Sequence, residues 1–199
     1  FFGNDCYFIV MVLKAVFSSK FAEHLVFKGG TSLSKAYHLI DRFSEDIDLA
    51  IDRKFLGFDG DLSATQIKKL RKASGTFIIT DFFNELKIQL KKLGIPEEEY
   101  ELVTNNEIDD TSDPHTIELQ YQSIVEQGDY LPQRVLIEIG SRSLMEPSES
   151  RPIESIIGSV FPEQKFAIKP FDVSVVIPIR TFLEKIFLLH EEFLKSKDK

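Results

Sequence analysis

Between residues 5 and 18 apolar side chains recur on every side of a 3.6-residue period: Tyr7, Phe8, Ile9, Val10, Met11, Val12, Leu13, Val16 and Phe17. A helix with that pattern is predicted to be buried all round. The short apolar run Leu25-Val26-Phe27, stopped by Gly29-Gly30, predicts a buried strand entering a tight turn. Thr31 or Ser32 is placed to cap a helix whose Leu33, Ala36, Tyr37 and Ile40 recur at helical spacing as far as Asp41. Residues Asp46–Ile51 alternate instead. Ile47, Leu49 and Ile51 share one face of a strand; Asp46, Asp48 and Asp52 share the other.

Farther along, Ala64–Ala73 reads as a short basic helix with a solvated face. Phe82, Phe83, Leu86, Leu90 and Leu93 define an amphipathic helix over 81–93, closed by Gly94-Ile95-Pro96. Strands are expected at Tyr100–Thr104, Thr116–Tyr121 and Arg134–Ile139, the first two pairing antiparallel across a loop at Asn105–Pro114. Arg142–Pro152, rich in Ser, Glu and Pro, reads as loop, Ile153–Phe161 as a short helix, and Phe166–Ile168 and Val173–Val176 as short strands. A last helix follows Pro178, with Phe182, Leu183, Ile186, Phe187, Leu189 and Phe193 on its apolar face. Strands and helices occur in about equal measure without βαβα alternation, which predicts an α+β domain. Residues 1–178 are expected to form it, and 179–199 the start of a helical C-terminal region, incomplete within this sequence.

Composition narrows the class. The 199 residues are 43% hydrophobic and 28% charged, enough for a sizeable core. No run of eighteen apolar residues occurs, so no membrane span is expected. Cys6 is the only cysteine, which excludes an internal disulfide and fits a reducing, cytoplasmic setting. The net charge of −8 argues against a broad non-specific nucleic-acid surface, although a local basic patch suffices for an RNA substrate. No two of the four histidines have metal-ligand spacing.

Candidate chemistry gathers in two stretches, Lys28-Gly29-Gly30-Thr31-Ser32-Leu33 and Ser44-Glu45-Asp46-Ile47-Asp48-Leu49. Two carboxylates at i and i+2 of a strand point the same way, repel each other, and tolerate burial only with a cation between them. Mg²⁺ suits them because it prefers carboxylate, water and phosphate oxygens. Glu138, which interrupts the apolar run Val135–Ile139, is the candidate third carboxylate of a two-metal arrangement. Gly29-Gly30 lets backbone N–H groups approach a phosphate closely, with Lys28, Thr31 and Ser32 adding contacts. The spacing is that of neither a P-loop nor a Rossmann fingerprint.

This ordered set resembles the nucleotidyltransferase superfamily with the DNA polymerase β-like fold, and within it the AbiEii-type toxins of type IV toxin–antitoxin systems. The resemblance covers residues 25–51, and extends to the Glu138 strand at 133–141 and to Arg180-Thr181-Phe182-Leu183-Glu184-Lys185 within 177–193. It implies a mixed sheet flanked by helices with a helical C-terminal part. It implies transfer of a nucleotide from an NTP to an acceptor hydroxyl with Mg²⁺ or Mn²⁺. Asp46 and Asp48 would hold metal, and Glu138 would be a third ligand or the base. Lys185 would neutralise triphosphate charge, and Ser44 would sit near the γ-phosphate. RNA such as tRNA is the expected acceptor and an antitoxin the expected partner. Family members also carry an aspartate-bearing motif beyond the Glu-Lys helix, which is not found before Lys199. Two other readings compete: an antibiotic-type nucleotidyltransferase acting on a small molecule, and a catalytically silent NTP-binding module. The nucleotide, the acceptor and the oligomeric state are not readable from the sequence.

Overall fold

The computed structural model describes residues 3–41, 44–104, 108–121, 133–164 and 167–195. Among them, seven strands form one mixed sheet: β1 (Leu25–Lys28), β2 (Asp46–Ile51), β3 (Tyr100–Thr104), β4 (His115–Tyr121), β5 (Arg134–Gly140), β6 (Ser148–Ile153) and β7 (Phe171–Val176). Their order is β3-β4-β5-β2-β1-β7-β6. The β2–β5 and β1–β7 pairs are parallel and the other four antiparallel. The helices are α1 (Gly3–Phe17), α2 (Gly29–Lys35), α3 (Ala64–Phe77), α4 (Phe83–Lys92), α5 (Ile156–Val160) and α6 (Pro178–Lys195).

The alternation in β1, β2 and β5 sends Leu25, Phe27, Ile47, Leu49, Ile137 and Ile139 to one face, all fully buried. Onto that face packs α1, whose Ile9, Val12, Leu13, Ala15 and Val16 are fully buried too, as its all-round apolar pattern requires. The opposite face is polar around the centre. Beside it lies a small apolar cluster of Val26, Ala50 and Val176, covered by Met145.

Several local expectations change. The helix after Gly29-Gly30 begins at Gly29 with Lys28 as its N-cap, so neither Thr31 nor Ser32 caps it. It stops at Lys35 rather than Asp41: His38 takes a left-handed φ of 51°, and the Leu39 N–H donates back to the Leu33 carbonyl, a Schellman-type stop. The basic helix runs on to Phe77, longer than expected, and a π turn at Ile78–Phe82 joins it to the amphipathic one, which is shorter than expected at Phe83–Lys92. Ser63 and Gln66 start that run with a reciprocal capping box. Finally, Ser148–Ile153 is strand rather than loop, because it finds the free edge of β7. Five of its six residues are exposed, and Pro152 is tolerated on an edge. That strand takes Ile153 from the expected helix, which shortens to Ile156–Val160. Residues 167–170 form no strand, while Phe166, Asn105 and Lys199 lie outside the described residues. The apolar face of α6 is present, but Phe182, Leu183, Ile186, Phe187, Leu189 and Phe193 are all exposed and only Thr181 of this helix is buried. No described helix is long and apolar enough to cross a membrane.

Candidate active site

Strand register builds the site. Lys28 pairs with Asp48 across β1 and β2, Asp48 with Glu138 across β2 and β5, and Glu138 with Thr116 across β5 and β4. Directly paired residues face the same side, on strands ~4.8 Å apart. The result is a row of cation, carboxylate, carboxylate and hydroxyl across the polar face. Asp46 lies two residues before Asp48 on that face, opposite Leu136.

The turn after β1 is shaped around Asp48. Gly29 has a φ of +77°, and a Cβ built there would lie 2.0 Å from Asp48 Oδ2. Only glycine accepts both the left-handed backbone and the carboxylate in that space. Thr31 and Ser32 are buried and spend their hydroxyls on the backbone. Thr31 Oγ1 donates to the Asp46 carbonyl at 2.6 Å, tying α2 to the start of β2, and Ser32 Oγ donates to the Gly29 carbonyl at 2.8 Å. Ser44 Oγ accepts from the Asp46 N–H at 3.4 Å, a turn contact at the entry to β2.

A cavity of about 510 Å³ opens over the row. Its walls bring together Lys28, Gly29, Asp48, Glu138 and Lys185, five of the residues singled out in the sequence. Gly30, Thr31, Ser32, Ser44 and Asp46 are not in the wall, although the Asp46 charge reaches Glu138. Lys28 Nζ donates to Ser143 Oγ at 2.7 Å and lies 3.8 Å from Glu184 Oε2. The other Glu184 oxygen accepts from Arg180 Nε at 3.1 Å. Burial pushes the Glu138 pKa up, the negative charges of Asp48 and Asp46 push it further, and Lys28 and Lys185 pull it partly back.

Wall residues from outside the two motifs complete the cavity. Asp113 closes one side, its Oδ1 accepting the Ser141 N–H at 2.9 Å and the Ser141 hydroxyl at 3.4 Å. The loop that carries Asp113 is moored to α3: Arg71 Nη1 donates to the Asp110 carbonyl, Lys68 pairs with Asp110, and His115 Nε2 meets the Arg71 carbonyl at 3.2 Å. His115 fits there because residue 75 is glycine; a Cβ would stand 2.6 Å from its ring. Asp113 carries no signal of its own in the sequence, since nothing local reveals that the loop folds onto the end of β5. Glu184 and Thr181 belong to the same motif as Lys185, but the motif by itself points only to the lysine.

The donor set suits a hard divalent cation. The charges of Asp48 and Asp46 raise the cost of ionising Glu138, and Gly29 leaves the Asp48 carboxylate unobstructed on the backbone side. Among the described residues, no three His, Cys, Asp or Glu side chains converge tightly enough to cage a metal unaided. Mg²⁺ does not demand such a cage, because it ordinarily binds through one or two carboxylates and completes its shell with water and substrate phosphates.

A mixed sheet that aligns carboxylates under a cation-bearing cavity, with a helix crossing its mouth, is consistent with a nucleotidyltransferase fold. The family model for the nucleotidyl transferase AbiEii toxin, type IV TA system, matches residues 12–198. The chain belongs to that family. No curated protein and no solved structure gives a significant match.

Proposed function

We propose that this protein is a divalent-metal-dependent nucleotidyltransferase that moves a nucleotide from an NTP to an acceptor hydroxyl on RNA, tRNA being the expected acceptor, and that it acts as a toxin restrained by an antitoxin. The observation that carries the reading is the row Lys28–Asp48–Glu138, held in register across three strands and opening on the same cavity as Lys185.

In this reading Asp46, Asp48 and Glu138 would hold Mg²⁺ or Mn²⁺. The ion, when bound, supplies positive charge to the triphosphate and to the departing pyrophosphate. The chain's own groups do the rest. Lys28 and Lys185 offset phosphate charge at two sides of the cavity. Where Glu138 serves as the base rather than as the third ligand, its carboxylate, its proton affinity raised by burial and two acidic neighbours, accepts the proton of the acceptor hydroxyl. The hydroxyl oxygen then bonds to the α-phosphorus, the bond from that phosphorus to the bridging oxygen breaks, and pyrophosphate leaves. The Asp113–Ser141 contact keeps the end of β5, and so Glu138, in place.

A small-molecule acceptor is favoured by one observation: Asp113, Glu184 and Glu191 add three carboxylates to the cavity wall, and these repel a polyanion. Incubation with each α-labelled NTP, Mg²⁺ and total RNA separates the two, beside an Asp46→Ala/Asp48→Ala double variant. Label in RNA with the wild type alone supports the RNA reading and names the nucleotide. Nucleotide binding without any labelled RNA turns the reading toward a small-molecule acceptor or a silent binding module.

A further inference from the structure

We infer that Arg142 is a further substrate-binding residue, gripping the polyphosphate of the incoming nucleotide. The inference rests on the nucleotidyltransferase reading and adds to it a group that the motifs do not contain. Arg142 follows β5 at i+4 from Glu138, and Glu138, Gly140 and Arg142 all line the cavity. Gly140 between them has no side chain to separate the arginine from the carboxylate.

Both neighbours of Arg142 are pinned. Ser141 is fully buried and clamped by Asp113 through its N–H and its hydroxyl. Ser143 accepts the hydrogen bond from Lys28 Nζ. The backbone that carries Arg142 is therefore fixed on both sides. Its guanidinium is exposed to the cavity and, among the described residues, makes no ion pair or hydrogen bond. It forms no ion pair with Glu138. A planar five-donor cation placed on a fixed base without a carboxylate partner is matched to a phosphate oxyanion, which it meets through two parallel hydrogen bonds.

The first turn of α6 adds a second polar residue to this cavity. Thr181 is 2% exposed and lines this cavity, yet its Oγ1 has no hydrogen-bond partner among the described residues. Arg142 and Thr181, from distant parts of the chain, line one cavity. A nucleotide is the better occupant of that space than a nucleic-acid backbone. It concentrates several negative charges beside Lys28, Lys185 and Arg142, whereas a longer polyanion would also have to pass Asp113 and Glu191.

The test measures binding of inorganic pyrophosphate and of each NTP, with Mg²⁺, to the wild type, Arg142→Ala and Arg142→Lys, followed by KM for NTP and for acceptor. Arg142→Ala is expected to keep the wild-type melting temperature, since it removes no contact, and to weaken pyrophosphate about 10- to 100-fold. Arg142→Lys is expected to recover part of that loss, and the KM for NTP to rise while the acceptor KM stays put. Equal pyrophosphate affinity in wild type and Arg142→Ala overturns the assignment and leaves the transferase reading standing. So does a rise confined to the acceptor KM, which would give the arginine to the acceptor. A wild-type protein that binds neither pyrophosphate nor any NTP overturns both.

Discussion

The two faces of β1, β2 and β5 differ by one residue of offset and by almost everything else. Phe27, Ile47, Leu49, Ile137 and Ile139 are fully buried against α1 and its neighbours. Lys28, Asp48 and Glu138, one position along each strand, face the cavity only part-buried. The same ladder hydrogen bonds fix both sets. The apolar face therefore stabilises the sheet, and the sheet in turn holds Asp48 and Glu138 at a spacing two like charges would not choose, with Lys28 offsetting part of the repulsion. Stability and chemistry are separated by the pleat, and substitutions on opposite faces should separate them as well.

Asp48→Asn is expected to give the largest effect. It removes one charge from the row while keeping shape and hydrogen-bonding capacity, so nucleotide transfer should fall on the order of 10³-fold. The melting temperature in metal-free buffer should hold or rise, because a like-charge contact with Glu138 is relieved. A labelled-NTP assay paired with thermal unfolding checks both halves. A variant that loses activity by unfolding would collapse the distinction between the faces.

Leu49→Ala, the very next residue, should do the reverse. Truncating a fully buried leucine costs about 2–5 kcal/mol, read as a shift in the urea midpoint with an unchanged slope. Turnover by the fraction still folded should stay within a few-fold of wild type. If Leu49→Ala instead removed activity at full stability, the apolar face would have to be counted as part of the site.

Gly29→Ala tests the one place where the faces meet through the backbone. The residue is left-handed and its hydrogen occupies the space over Asp48 Oδ2. Alanine there carries a strain of about 1–3 kcal/mol and pushes the carboxylate aside. Modest destabilisation together with a loss of transfer approaching that of Asp48→Asn is expected, from the same two measurements. Loss of stability alone would mean that Asp48 can move without consequence.

What the sequence discloses follows from this division. The period-two alternation of Asp46–Ile51, the apolar run of Leu25–Phe27 and the interruption at Glu138 are local signals, so both faces of the central strands and the three carboxylates are legible in the order of residues alone. The alignment Lys28–Asp48–Glu138 is not local, because it depends on which strands pair and in what register. Asp113 and Ser143 are invisible for the same reason: each becomes part of the cavity only when a distant segment folds against it. Polar β6 has no alternating pattern to show, since its strand geometry comes from the edge of β7 and five of its side chains stay exposed. The length of α2 is overestimated because Ala36, Tyr37 and Ile40 keep a helical rhythm past His38, whose left-handed turn the rhythm does not encode.

The smallest expected effect is also the one that isolates the electrostatics of the polar face. Glu138 binds its proton more tightly in the fold than in the unfolded chain, through burial first and then through Asp48 and Asp46. At pH below the ordinary carboxylate range both states are protonated and the shift contributes nothing. As pH rises past that range the unfolded chain releases its proton first. The fold then holds more protons than the unfolded state, so stability falls with pH until folded Glu138 ionises too, and stays lower above that point. Glu138→Gln cannot ionise and escapes this loss. In chelator-treated protein the variant should match the wild type near the acid end, pull ahead in melting temperature through the window above the ordinary glutamate value, and then keep a constant lead. Adding Mg²⁺ should shrink that lead by stabilising the wild type more than the variant, since only the wild type presents all three carboxylates. A lead that is the same at every pH would show that glutamine merely packs better. No lead at all would show that Lys28 and Lys185 already neutralise the row, and the polar face would then carry no electrostatic tension for a cation to relieve.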